Sequence, residues 1–301
     1  MALAEPLYGG IELGGTKTTW GIATDASRPT ARGTFATSGA AETIANAAAA
    51  ISDAAGGREL AAIGVGAFGP IDLASGVVGN TPKDGWRGAA ISEALAGLLP
   101  VPLGLDTDVN AAALGELHHG AARGASNIVY VTVGTGIGGG AVIAGQLVHG
   151  GGHPEMGHVT AVPHAGDLDE GFAGICPFHG GCLEGMASGR AIAARFGTPA
   201  GELAPEHPAW EREAHYIGSA LADVALQYRP QRIILGGGVL HAPGLRELIR
   251  RRALDTLNGY IDVGDASTLV TAPGLGELSG LVGALVLAQE ASARSRKGDE
   301  R

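Results

Sequence analysis

Apolar positions in this chain fall into short runs that stop at glycine turns, alternating with longer alanine- and leucine-rich stretches. Residues 8–13 form such a run. Gly14-Gly15-Thr16-Lys17 follows, and residues 18–23 continue the pattern, which predicts strand, tight turn, strand. Residues 43–55 are alanine-rich and predict a helix, residues 60–67 a strand, residues 89–99 a helix, residues 102–105 a buried strand and residues 109–118 a helix. A second series then opens with a strand at 127–133, a glycine turn at 134–140 and a strand at 141–143. Loops are expected through the following segment. Helices are expected at 188–196 and 210–228, a strand at 232–235 ending in three glycines, a helix at 244–256, a strand at 268–272 and a closing helix at 279–291. The charged end, 294–301, is expected to fray.

The two series echo each other in pattern, though not in sequence. Each starts with strand, glycine turn, strand, and then alternates helices with strands. That predicts an α/β protein built as a duplicated fold, with a cleft between the halves. The boundary is expected near residues 115–124, with an N-terminal lobe at 1–117 and a C-terminal lobe at 118–301. The last helix would be free to pack back on the first lobe.

Composition narrows the picture. With 301 residues and 45% hydrophobic content, the chain can bury a sizeable core, and at 4% aromatics that core is mainly aliphatic. Its 52 glycines are more than twice the usual share of about 7%. They cluster beside the strands, as expected where backbone approaches a ligand closely. A formal charge of −10 disfavours nucleic acid or an anionic membrane as partner. The first residues read as no secretory signal, and no run of about 20 apolar residues suggests a membrane span. A cytoplasmic protein with reduced thiols is expected.

The two cysteines of the chain share one segment, Cys176-Pro177-Phe178-His179-Gly180-Gly181-Cys182, which spaces them evenly around His179. With His158 upstream they make a closed set of two thiolates and two imidazoles, suited to structural zinc. His153 and His164 are alternative fourth ligands. Ordinary buried thiols, or a disulfide, are the plainer readings. Glu155 and Glu184 flank these ligands, so a metal knot would hold two carboxylates in place around something polar.

The turn Gly14-Gly15-Thr16-Lys17 offers backbone N–H groups, a hydroxyl and an ammonium, a set that can cradle phosphate oxygens. It is not a P-loop, because threonine precedes the lysine and a strand follows. A plain hairpin turn is the alternative. Gly134, Gly136 and Gly139 match G-x-G-x-x-G, but a strand follows them where the dinucleotide fingerprint needs a helix. A second phosphate-cradling hairpin, with the Thr135 hydroxyl and Gly136, fits better. Gly236-Gly237-Gly238 ends a buried strand, where open α/β sheets bind ligands. Asp106-Thr107-Asp108-Val109-Asn110 precedes a helix. One residue suffices for an N-cap, yet two acids and an asparagine crowd there. A carboxylate at a helix N-terminus stays ionised, as a general base must.

Together these segments resemble the sugar kinases of the repressor/open-reading-frame/kinase (ROK) family. The resemblance is carried by Gly10-Ile11-Glu12-Leu13-Gly14-Gly15-Thr16-Lys17, by Asp106 to Ala112, by Val133-Gly134-Thr135-Gly136-Ile137-Gly138, and by Glu155-x-Gly157-His158. Phe68-Gly69-Pro70-Ile71-Asp72, Thr81-Pro82-Lys83-x-Gly85-Trp86, His153 to His158 and Cys176 to Gly185 resemble, more narrowly, its bacterial fructokinases.

The resemblance implies an actin/hexokinase-like (ribonuclease H-like) two-lobed fold that closes on ATP and sugar. Asp108 would deprotonate the sugar hydroxyl, with Asn110 beside it orienting the loop. Gly69, Pro70, Thr107, Glu155 and Glu184 would face the sugar. Gly14, Gly15, Thr16, Lys17, Thr135 and Gly136 would wrap the phosphates, and Gly236, Gly237 and Gly238 would border adenosine. His158, Cys176, His179 and Cys182 would hold Zn2+. ATP and Mg2+ would be needed, and a homodimer is implied. Thr107 and His179 stand where family glucokinases usually carry asparagine and a further cysteine, which weighs against glucose. Glu12 stands where many relatives have aspartate near the magnesium. The expected reaction is transfer of the γ-phosphate of ATP to the 6-hydroxyl of fructose. Mannose, glucose or an N-acyl hexosamine are the alternative substrates. A sugar-sensing repressor is a remote alternative, because the first strand at residue 8 leaves no room for a preceding helix-turn-helix.

Overall fold

The computed structural model describes residues 5–299. The chain divides into two compact units. Unit 1 holds the residues up to Arg123, the short piece His149–His153, and the chain from Glu277 onward. Unit 2 holds Gly124–Val148 and Pro154–Gly276.

Unit 1 is a five-stranded sheet built from β1 (Leu7–Leu13), β2 (Lys17–Ala23), β3 (Ala31–Ala36), β4 (Leu60–Ala67) and, after the two-residue strands β5 (Ile71–Asp72) and β6 (Val77–Val78), β7 (Leu103–Thr107). The strand order is β3-β2-β1-β4-β7. The β1–β2 and β2–β3 pairs are antiparallel, whereas β1, β4 and β7 run parallel. Helices α1 (Ala40–Ala55), α2 (Ile91–Leu98) and α3 (Asp108–His119) complete the first stretch of chain. Ile44, Ala47, Ala48 and Ile51 of α1 recur at helical spacing and are buried in the same core as Ile11, Leu13, Ile63 and Trp86. Sequence reasoning missed β3. Its side chains alternate between half-buried and exposed at the sheet edge, so it carries little apolar signal.

The C-terminal helix, Ser279–Asp299, packs on β1, β4, β7 and α3. Glycine makes this approach possible. A Cβ on Gly64 would run into the carbonyl oxygen of Ala284, and one on Gly283 into that of Ala111. Part of the glycine excess therefore serves close helix packing rather than ligand approach. The helix also continues to Asp299, well past the point where fraying was expected. Glu300 and Arg301 lie outside the described residues.

Unit 2 repeats the sheet. Its strands are β8 (Ile128–Val133), β9 (Ile137–Ile143), β10 (Gln146–Leu147), β11 (Arg232–Gly236) and β12 (Val270–Thr271), ordered β10-β9-β8-β11-β12. Again two antiparallel pairs are followed by parallel neighbours. The same order in both units is the duplication that the sequence pattern implied. The helices are α4 (Ala165–Glu170), α5 (Leu183–Ala187), α6 (Gly189–Phe196), α7 (Ala209–Tyr228), α8 (Leu245–Leu257) and α9 (Ala266–Leu269). Ile217 and Leu221 of α7 and Ile249 and Ala253 of α8 share a core with Val131, Ile233 and Leu235. The segment expected as loops contains α4 and α5, each too short to show a helical period. Of the strand expected at 268–272, the first two residues end α9, two form β12, and Ala272 lies beyond it. Among the described residues, no helix is long and apolar enough to cross a membrane.

Candidate active site

In unit 1 the register of the parallel strands places the candidate residues. Leu13, Ala67 and Thr107 are neighbours across β1, β4 and β7. The next residue on each strand leaves the sheet at the same end: Gly14 and Phe68 into loops and Asp108 into α3. The crevice at the carboxyl ends of such strands is where α/β sheets hold ligands. Gly14 N–H donates to the Lys17 carbonyl at 3.1 Å and closes the first turn. Thr37 bolts it from the side. Its hydroxyl donates to the Gly14 carbonyl at 2.7 Å, and its N–H donates to the Thr16 carbonyl at 2.9 Å. Gly15, Thr16 and Lys17 are exposed, and Lys17 Nζ reaches Glu277 at 3.2 Å.

Asp108 opens α3, where the helix dipole favours an anion. Thr107 is its N-cap, accepting from Asn110 N–H at 3.2 Å. Asp106 is buried, and its Oδ1 accepts from Thr107 N–H at 2.8 Å and from Asn110 Nδ2 at 2.7 Å. The crowd of polar groups at this helix start is thus divided: Thr107 caps, Asp106 and Asn110 brace, and half-buried Asp108 accepts from Val109 N–H through Oδ1 at 2.9 Å. Gly69-Pro70 follows β4 through a cis peptide, and Phe68 stacks edge-on against buried Trp86 at 4.8 Å.

Glu12 on β1 is the unit's unusual acid. Its Oε2 is shielded from solvent and accepts no hydrogen bond among the described residues. Burial pushes its pKa up to about 7, and the Asp108 and Glu277 charges add to the rise while Lys17 opposes it. Gly280 of the C-terminal helix presses on this carboxyl so closely that a Cβ there would collide with it.

In unit 2 the β8–β9 turn carries Thr135 and Gly136. Gly134 N–H donates to the Gly136 carbonyl at 2.9 Å, and Gly189 N–H donates to the Gly134 carbonyl at 2.7 Å. Glu184, in the first turn of α5, backs this turn. Its Oε2 accepts from Ile137 N–H at 3.0 Å. Arg190 reaches the Thr135 carbonyl at 3.2 Å and Glu184 Oε1 at 3.5 Å. Gly237, at φ 98°, lies against the backbone of Val133 with no room for a side chain. Gly237 therefore lies beside the last residue of β8, where the second turn begins, while Gly236 faces Tyr130 and Pro273. Glu155 stands close enough to Glu184 to sense its charge. Burial raises its pKa, His158 partly opposes this, and Glu184 adds to it. Its exposed side screens the effect.

His158, Cys176, His179 and Cys182 bring four ligand atoms within 4.8 Å of one another. His158 Nδ1 lies 3.5 Å from Cys182 Sγ and 3.7 Å from Cys176 Sγ, and His179 Nδ1 lies 3.7 Å from Cys176 Sγ. A zinc tetrahedron with usual bond lengths has S···N edges of about 3.6 Å. Both cysteines are free thiols. The other two histidines are engaged elsewhere: His164 accepts from Gly166 N–H, and His153 lies beside Thr107 in unit 1.

A second anchor of this loop escaped sequence reasoning. Buried Asp167 on α4 accepts from Arg212 at 2.7 Å and Tyr216 Oη at 2.5 Å, and pairs with Arg195 at 2.8 Å. Arg195 donates on to the Met186 carbonyl at 2.6 Å and covers the Phe172 ring at 4.2 Å. The burial of these charges had no periodic or motif signal. Arg190, Thr37 and His149 were missed for the same reason.

Residues 8–291 match the ROK family. The chain belongs to the ROK family. A fructokinase of Lactococcus lactis subsp. cremoris is 40% identical over 85% of this chain and 87% of its own. Among solved ROK structures, a hexokinase from Thermus thermophilus shares 32% identity, covering 96% of this chain and 99% of its own, with a TM-score of 0.80. A ROK family glucokinase from Streptomyces griseus, in complex with glucose and AMPPNP, shares 28% identity over 94% of this chain and 99% of its own, with a TM-score of 0.73. The fold is the actin/hexokinase-like one of these ROK enzymes.

Proposed function

We propose that this protein is an ATP-dependent fructokinase, transferring the γ-phosphate of ATP to the 6-hydroxyl of D-fructose. The observation that carries the reading is the Asp108 carboxylate, fixed at the start of α3 on the same sheet edge as the glycine turn. The 40% identity to a fructokinase favours fructose as the sugar.

Phosphoryl transfer needs positioning and charge neutralisation more than covalent help. The N–H groups of the two turns receive phosphate oxygens, and Lys17 adds a positive charge at the first. The sugar 6-oxygen attacks the γ-phosphorus, the bond to the β–γ bridging oxygen breaks, and Asp108 accepts the hydroxyl proton. Glu155, Glu184, Thr107 and the Gly69-Pro70 loop receive the other sugar hydroxyls. The shielded oxygen of Glu12, which has no hydrogen-bond donor among the described residues, fits a divalent cation nearby, and Mg2+ bound there would neutralise phosphate charge. The donor set of His158, Cys176, His179 and Cys182 fits Zn2+, which would cross-link the loop that carries Glu184. The reading includes a cytoplasmic homodimer, which light scattering would test.

The test of the reaction is coupled ADP release with fructose, mannose, glucose and N-acetyl hexosamines. Fructose should give the highest kcat/KM, mannose the next, and glucose a poor one. A site that hydrogen-bonds particular hydroxyls can reject an analogue by as much as about 10⁴-fold. Glucose exceeding fructose tenfold would overturn the substrate, and no response to any hexose would overturn the kinase. Elemental analysis should find about one zinc per chain. A Cys176–Cys182 disulfide without metal would refute the zinc site.

A further inference from the structure

His149–His153 belongs to unit 1, although the chain before and after it belongs to unit 2. Two histidines pin this strap, and both pins land beside Asp108. His149 Nε2 lies 3.0 Å from Asp106 Oδ2. His153 Nδ1 lies 3.4 Å from Thr107 Oγ1. Asp106 is only 5% exposed, so each of its oxygens needs a donor. The loop itself supplies two donors to Oδ1, from Thr107 and Asn110, the residues that bracket Asp108. The donor seen at Oδ2 comes from the strap.

From this geometry we infer that His149 is a positioning residue for the general base. It donates through Nε2 to Asp106 and thereby fixes the turn that aims Asp108 at the sugar hydroxyl. The inference rests on the kinase reading. Without His149, the buried Asp106 oxygen loses a donor, and the carboxylate turns toward water or another partner. That motion drags Thr107 N–H and Asn110 Nδ2, and Asp108 sits between them. A misplacement of about 1 Å at a reacting group can cost about 10²-fold in rate. The strap also runs directly into Pro154-Glu155, so the segment leading to a proposed sugar-binding acid is the one that steadies the base.

The experiment compares His149→Ala, His149→Gln, Asp106→Asn and the double variant His149→Ala/Asp106→Asn in the full-length, metal-loaded enzyme. His149→Ala should lower kcat with fructose about 10- to 100-fold, leaving KM for fructose within about threefold. His149→Gln keeps an amide donor of similar reach and should restore kcat to within about fivefold of wild type. Asp106→Asn removes the buried charge that His149 serves, so the double variant should turn over faster than His149→Ala alone.

A wild-type kcat in His149→Ala would overturn the inference. So would a loss that glutamine does not restore and that simply adds to the effect of Asp106→Asn. A merely structural role would lower melting temperature and active fraction in the alanine and glutamine variants alike, with no suppression by Asp106→Asn. Calorimetric fructose binding keeps the test valid if one variant folds poorly. A wild-type enzyme silent toward every hexose would overturn the kinase reading instead.

Discussion

The first glycine turn, Gly14–Lys17, and the second, Gly134–Gly136, sit at equivalent places in two sheets of the same strand order, yet their supporting acids differ. Glu184 behind the second turn is paired: it accepts from Ile137 N–H and has Arg190 alongside. Glu12 behind the first has a shielded oxygen with no hydrogen-bond donor among the described residues, and a pKa pushed up to about 7. Thr37 and its backbone hold the first turn instead. The second turn is thus complete within its own unit. The first keeps an acid whose shielded oxygen has no hydrogen-bond donor among the described residues. The duplicated sheets have diverged in charge while keeping their topology.

Four measurements would sharpen or break this contrast. The largest effect is expected at Asp108, whose charge is part of what raises Glu12. Asp108→Asn should lower kcat by about 10²–10⁴, as for loss of a general base, while calorimetric fructose binding persists. Full activity would reduce Asp108 to a helix-start residue.

Glu12 comes next. Its pKa is higher folded than unfolded, so the native state holds its proton more tightly. Stability is therefore lost as pH rises from about 4.5 to about 7, by an amount on the order of 3 kcal/mol. Without nucleotide or magnesium, Glu12→Gln should be more stable than wild type to urea at pH 8. The difference should shrink as pH falls toward about 4.5. A constant difference across that range would refute the unpaired acid.

Glu184→Gln should weaken fructose affinity roughly 10- to 100-fold through lost charge-assisted hydrogen bonds. Unchanged fructose affinity would mean that Glu184 serves only the second turn. Thr37→Val should cost about 1 kcal/mol and raise KM for ATP more than KM for fructose. Equal effects on both substrates would mean that Thr37 supports the unit as a whole rather than the turn.

The legible parts of this protein were those with local signals. The β1–β2 and β8–β9 hairpins show as apolar runs around glycines, because a tight turn and a buried strand each constrain their own residues. The four metal-ligand candidates were visible from cysteine rarity and spacing. The start of α3 was visible from its crowd of polar residues, but not the division of labour within it. Which acid is buried as a brace and which opens the helix depends on β7 ending beside β4, a contact between residues about 40 positions apart in the chain. Strand β3 was missed because an exposed edge strand has no buried face to mark it, and α4 and α5 because they are too short for a period.

What the sequence determined by itself, then, was the duplicated α/β pattern, the family and the chemical type of each candidate residue. Those rest on neighbours in the chain. Tertiary structure alone decided the charge states and the braces. Glu12 is raised because Gly280, from the far end of the chain, presses on its carboxyl and Asp108 adds its charge. Asp106 is satisfied because His149 returns to it. Desolvation and hydrogen bonding are set by what packs against a group in space, and sequence distance carries no record of that.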